Sequence, residues 1–271
     1  MVINIHQNPG ELGKAAGSAA AALIRQTIAG QGYANIILAT GTSQFETLRQ
    51  LVREPGIDWR AVTMFHLDEY IGLPVTAKAS FRKYLQERFL DQVPALKAAH
   101  LVNGENEPKA ECERLGELIS AHPIDVALVG IGENGHLAFN DPPADFDTRQ
   151  PYLVVELDAQ CRQQQFNEGW FKTLEEVPRS AISMSVNQIM KAKHIICPVP
   201  DSRKALALKN SLEREVDSRY PASILQLHPA CSFYLDQASA ALLSAQVPVN
   251  KAGGSGSWGC GQTTTHRPQT Q

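Results

Sequence analysis

An α/β fold with one mainly parallel sheet covered on both faces by helices is what this sequence predicts. Short apolar runs alternate with longer stretches of helical period, and four of the runs end in loops rich in polar residues. No Pro/Gly/Ser linker divides the first 245 of the 271 residues, so a single domain is expected over 1–245.

The elements follow in order along the chain. Val2 to Ile5 is a first strand. Glu11 to Ala29 is alanine-rich and reads as a helix ended near Gly30 and Gly32. The run YANIILA, Tyr33 to Ala39, reads as a buried strand, and the loop Thr40-Gly41-Thr42-Ser43 leads from it into a helix over Gln44 to Arg53. Ala61 to Leu67 is the next strand. Ser80 to Leu90 has amphipathic helical spacing, and Lys109 to Ala121 forms a further helix. Ile124 to Val129 is a strand, followed by strands at Tyr152 to Leu157, Ala181 to Ser185, His194 to Val199 and Ser232 to Leu235. A helix over Ser202 to Glu213 lies between the last two. Residues 246–271 hold the Gly/Ser/Thr/Gln-rich run GGSGSWGCGQTTTHRPQTQ, which carries too little apolar surface to offset its ordering entropy, so a flexible tail is expected there.

Composition removes several classes. A net charge of −3 gives no basis for general binding to nucleic acid or a membrane surface. No run approaches the ~18 apolar residues of a membrane span, and no cationic segment precedes a long apolar one as in a secretory signal. Cys112, Cys161, Cys197, Cys231 and Cys260 are odd in number, widely spaced and without a C-x-x-C pair, which suggests neither a disulfide framework nor a cysteine zinc site. A cytoplasmic protein is expected, and a homo-oligomer is compatible with the reading.

In an open parallel sheet, ligands collect at the carboxyl ends of the strands. Four loops fall there, after Ala39, Leu67, Val129 and Val199. The third, Gly130-Ile131-Gly132-Glu133-Asn134-Gly135, has G-x-G-x-x-G spacing. A dinucleotide turn needs a long helix directly after its last glycine. Here HLAFNDPP follows, and Pro142 and Pro143 stop any helix within two turns. The readings left are a glycine loop made for backbone geometry alone, and a catalytic loop. Glu133, Asn134, His136, Asn140 and Asp141 stand close together. An imidazole can take and return a proton near neutral pH, and Asp141 is near enough in the chain for a turn to bring it to His136. No second His or Cys stands at metal-ligand spacing.

The other three loops each have two readings. Asp68 and Glu69 follow an apolar strand. A carboxylate held out of water can serve as a base for a C–H proton, and the alternative is a helix cap or solvated acidic turn. Gly41, Thr42 and Ser43 offer backbone N–H groups and hydroxyls to an anion, or are an ordinary helix cap. Lys204 falls at the start of a helix, where a bound phosphate would offset the unfavourable dipole, or it is a solvated lysine.

The stretches LDEYIGLP, GIGENGHLAFNDPP, SRKALAL and SILQLHP, in this order and spacing, resemble the glucosamine-6-phosphate deaminases over roughly Ile36 to Asp236. The 6-phosphogluconolactonases are the sister family with a similar G-x-G-x-x-G-H loop. They look less similar around Asp68 to Pro74 and Phe139 to Pro142. The resemblance implies a modified Rossmann-type three-layer α/β sandwich without a nucleotide. It implies a hydrolase/isomerase converting an amino-sugar 6-phosphate to a ketose phosphate and ammonia, with no metal or redox cofactor. It assigns His136 to opening the pyranose ring, Asp68 to moving a proton between C2 and C1, and Gly41 to Ser43 with Lys204 to the phosphate. Asn134 falls where relatives carry Asp or Asn, and Asp141 where Glu is usual. Cys161 to Gln165 replaces a Thr-Arg-x-Ala-Asn type run, and the phosphate-binding arginine beyond it corresponds to Asn167. Other outcomes are a lactonase, a plain sugar-phosphate isomerase, or a sugar-phosphate-binding regulator impaired by the changes at Asp141 and Asn167.

Overall fold

The structure, a computed structural model, describes residues 1–245 and 250–251. In chain order the strands are β1 (Val2–His6), β2 (Ala34–Leu38), β3 (Val62–His66), β4 (Asp68–Tyr70), β5 (Ala98–His100), β6 (Val126–Leu128), β7 (Tyr152–Glu156), β8 (Ser180–Met184), β9 (His194–Val199), β10 (Cys231–Asp236) and β11 (Asn250–Lys251). The α-helices are α1 (Pro9–Gln31), α2 (Phe45–Leu51), α3 (Phe81–Arg88), α4 (Pro108–Ser120), α5 (Ala159–Asn167), α6 (Val186–Met190) and α7 (Ala205–Glu213). No helix among the described residues is long and apolar enough to cross a membrane.

Eight strands form one sheet in the order β11-β1-β10-β9-β6-β2-β3-β5, with every neighbouring pair parallel. The period of two in its strands serves both faces. Ile37, Phe65, Ala127, Ile195 and Phe233 point into one core, shared with Leu115 and Ile119 of α4 and Leu208 and Leu212 of α7. Ile36, Leu38, Met64, Val126, Leu128 and Ile196 point into the other, against Ala16, Ala20 and Ile24 of α1, Leu48 and Leu51 of α2, and Leu85 of α3. This is the three-layer α/β sandwich expected from the sequence.

Three features differ from the sequence reading. The runs at Tyr152 and Ala181 are strands, but of a second, three-stranded antiparallel sheet, β4-β8-β7. Its third member, β4, starts two residues after β3 and was hidden in the polar loop. The edge strand β5, only three residues long, and α5 carry too little periodicity to stand out. In the expected tail, Asn250 and Lys251 pair with β1 as a parallel strand; the remainder of 246–271 lies outside the described residues.

The sheet also fixes where a site can form. From β2 the chain moves outward to β3 and β5, then returns to the opposite side of β2 as β6. That reversal opens a crevice at the carboxyl ends of β2 and β6. β9, β6, β2 and β3 are consecutive in the sheet, so the four polar loops leave from adjacent strand ends.

Candidate active site

The loops meet around a pocket lined by Gly41, Thr42, Ser43, Asp68, His136 and Lys204 among others. Asn134 and Asp141 stand behind His136 rather than on the cavity wall.

The loop after β6 is shaped by its glycines. A Cβ on Gly132 would sit 2.3 Å from Cε1 of His136, so the imidazole occupies the space a side chain would need. Gly135 has φ +89°, open to glycine at little cost. A tight turn closed by a bridge between Leu137 and Asn140 follows where a nucleotide-binding turn would have its helix. Gly132→Ala is expected to push the imidazole aside. A misplacement of ~1 Å in a catalytic group can cost ~10²-fold in rate, so kcat should fall by about that factor with a smaller change in KM. Normal kcat in the folded variant would show that the ring's seat on Gly132 is immaterial.

Nδ1 of His136 lies 3.1 Å from Oδ1 of Asp141, and both side chains are more than nine-tenths buried. The approach is off the line of a straight hydrogen bond, so the pair is a close electrostatic contact. Asp141 also accepts from Asn134 Nδ2 (2.9 Å) and from the backbone N–H of Asp158 (2.9 Å). Burial pushes its carboxyl up, but His136 and these two donors outweigh that and hold it below the usual carboxylate range. Asn134 Nδ2 reaches Asp158 Oδ2 as well (3.0 Å), and Asn134 Oδ1 accepts the backbone N–H of His136 (3.1 Å). Asn134 therefore ties the loop to Asp158, the N-cap of α5. With Nδ1 turned to Asp141, Nε2 is the nitrogen left for the cavity.

The two acids after β3 take different parts. Glu69 is fully buried and accepts from Ser80 Oγ (2.8 Å) and the backbone N–H groups of Phe81 (3.2 Å) and Arg82 (2.9 Å), anchoring the start of α3. It is the structural acid of the pair. Asp68, 5% exposed and on the cavity wall, has no side-chain hydrogen bond among the described residues. Burial, with the neighbouring charge of Glu69, raises its carboxyl well above the ordinary range.

Lys204 is 4% exposed, which removes the solvated-lysine reading. Its ammonium makes no salt bridge or hydrogen bond among the described residues, and burial pushes it below the ordinary lysine range. It is a desolvated cation in a cavity shared with Gly41, Thr42 and Ser43. Neither nearby arginine joins it. Arg162 donates to the carbonyls of Leu174 (2.8 Å) and Val177 (3.0 Å), and Arg203 pairs with Asp201 (2.9 Å) and Glu133 (3.3 Å). Asn167 is exposed and bonded to Gln163 (2.8 Å).

Sequence reasoning missed part of the wall. Gln164, Gln165 and Glu168 line the cavity from the α5 segment. Gln164 accepts from Glu133 N–H (2.8 Å) and donates to Glu168 (2.8 Å), while Gln165 accepts from Tyr70 Oη (2.9 Å). Gln44, fully buried, donates to the Val129 carbonyl (3.2 Å) and ties the loop after β2 to the one after β6. Three consecutive glutamines in a sequence with few polar runs were the available signal.

A sequence profile for "Glucosamine-6-phosphate isomerases/6-phosphogluconolactonase" matches residues 7–232. The chain belongs to this family. It is 35% identical over 226 residues to a glucosamine-6-phosphate deaminase of Bacillus cytotoxicus, covering 83% of this chain and 84% of that one. It is 39% identical over 207 residues to one from Listeria monocytogenes, covering 76% and 86%. Among solved structures, a monomeric glucosamine-6-phosphate deaminase superimposes with a TM-score of 0.82 at 31% identity, covering 89% of this chain and all of that one. The 6-phosphogluconolactonase of Trypanosoma brucei, at TM-score 0.74, 20% identity and coverage of 90% and 98%, shares the fold.

Proposed function

We propose that the chain is an aldose–ketose isomerase that deaminates an amino-sugar 6-phosphate, converting glucosamine 6-phosphate and water to fructose 6-phosphate and ammonia. The observation that carries this reading is Asp68. It is a buried carboxylate with no side-chain hydrogen bond among the described residues, in the same cavity as His136 and a desolvated lysine. Identities of 34–39% to glucosamine-6-phosphate deaminases support the same substrate.

Each group then has a task. Lys204, with the N–H and hydroxyl groups of Gly41 to Ser43, holds the phosphate. Nε2 of His136 moves a proton between the C1 hydroxyl and the ring oxygen, opening the pyranose. Asp141 keeps Nδ1 protonated and stabilises the imidazolium, and Asn134 positions both. Asp68 takes the C2 proton and returns it to C1, a task for one base within reach of two adjacent carbons. The C2 nitrogen is then lost as ammonia after water adds to C2. No step needs an electron acceptor.

Removing the lysine charge separates binding from folding. Lys204→Met should raise KM for phosphorylated sugars by roughly 10- to 150-fold, as expected for a charge-assisted contact of about 1.5–3 kcal/mol. It should also raise the Tm of the ligand-free protein, because a buried cation with no ion pair among the described residues is replaced by an apolar chain. Equal KM changes for phosphorylated and unphosphorylated sugars would take Lys204 out of phosphate recognition.

The test of the function itself is a panel of amino-sugar 6-phosphates and 6-phosphogluconolactone, with ammonia and ketose phosphate measured together. Ammonia from one amino-sugar phosphate is expected. Lactone hydrolysis without ammonia would assign the chain to the other branch of the family, and sugar-phosphate binding without turnover would make it a regulator.

A further inference from the structure

Cys161, which the mechanism does not use, lies beside the His136–Asp141 pair. It sits in the first turn of α5, fully buried, and reaches the pair from a segment remote in sequence. An imidazole nitrogen of His136, a carboxylate oxygen of Asp141 and the Cys161 sulfur all lie within 4.8 Å of one another. Nδ1 of His136 is itself buried without an aligned hydrogen-bond partner among the described residues. Spacing in the sequence could not reveal this group, because the fold alone brings α5 against the loop after β6.

We propose that His136, Asp141 and Cys161 form a site for a soft divalent cation of the zinc class, and that occupation of it switches off the proton shuttle. Charge balance favours this cation. One thiolate, one carboxylate and a neutral imidazole cancel a +2 charge, so the filled site adds no net charge to a buried region. Sulfur and nitrogen donors select zinc or cobalt over magnesium and calcium, which demand oxygen ligands. Zinc–ligand bonds of about 2.0–2.3 Å need the three atoms to close by roughly an ångström. Asp158, bonded to Asn134 and to the Cys161 N–H, flanks the site and orients its ligands. Binding releases the thiol proton to solvent, so affinity rises with pH. With Nδ1 and Asp141 committed to the metal, His136 can no longer be held as the imidazolium.

The loss of activity rests on the deaminase reading; the binding does not. The test titrates metal-free protein with Co²⁺, following the thiolate–cobalt charge-transfer absorption, and with Zn²⁺ against a chelating dye. Wild type, Cys161→Ser and Cys161→Ala are compared, with Mg²⁺ as control and ammonia release measured on the same samples. Wild type should take up one equivalent of Co²⁺ or Zn²⁺, show the band and lose activity reversibly to EDTA. Both variants should keep their activity, lack the band and need about 100-fold more Zn²⁺ for inhibition. Cys161→Ser preserves the side-chain shape, and its Tm guards against misfolding. A missing band in wild type, or equal zinc affinity in wild type and the variants, would overturn the site. If wild type binds the metal but releases no ammonia from any amino-sugar phosphate, the site stands and the deaminase reading falls.

Discussion

Asp68→Asn is expected to fold as wild type and to lose roughly 10²–10⁴-fold in kcat on glucosamine 6-phosphate, the usual cost of removing a general base. Asparagine keeps the shape and loses the basic lone pair. The side chain has no hydrogen bond to lose among the described residues, so Tm should hold or rise, since burying the ionised carboxylate is costly. The same burial sets a pH signature. Asp68 must be ionised to act, and its carboxyl is raised, so kcat/KM should fall as pH falls through that raised value. The acid limb of the profile should therefore lie above the ordinary aspartate range of ~4. Near-wild-type turnover in folded Asp68→Asn, or an acid limb at ~4, would remove Asp68 from the proton transfer.

The second large effect is at Asp141, where the family resemblance implies the longer glutamate. Both carboxylate oxygens are engaged at short range, with His136 and Asn134 on one and the Asp158 N–H on the other. Asp141→Asn removes the charge that holds the imidazole and should lower kcat by up to ~10⁴-fold, the loss seen when a histidine's orienting carboxylate becomes an amide. Asp141→Glu should also lower activity, because the added methylene crowds a loop already closed around the short arm. Ammonia release by the three proteins is the measurement. Comparable rates would break the His136–Asp141 pairing, and an inactive wild type rescued by Glu would mean that the native chain only binds its ligand.

The candidate site was legible where chemistry and topology coincide. Asp68, His136, Lys204 and Gly41 to Ser43 follow strands whose apolar runs are plain in the sequence, and β3, β2, β6 and β9 are neighbours in the sheet. What escaped depends on contacts that no local pattern records. Asp68 and Glu69 look alike in sequence. Only the packing of α3 makes Glu69 its anchor and leaves Asp68 free. Lys204 reads equally well as solvated until the loops close over it. The cavity wall from α5 was lost because Gln164 and Gln165 belong to a polar helix with a weak apolar stripe, and Glu168 caps its end. The antiparallel sheet was lost because β4 is three residues long and begins where β3 stops.

The most direct test of the central claim is the product balance of wild type on glucosamine 6-phosphate, with ammonia and fructose 6-phosphate measured together. The proposed chemistry predicts one ammonia for each fructose 6-phosphate formed, both lost in Asp68→Asn. Ketose phosphate without ammonia, or no turnover of a substrate that binds, would contradict it.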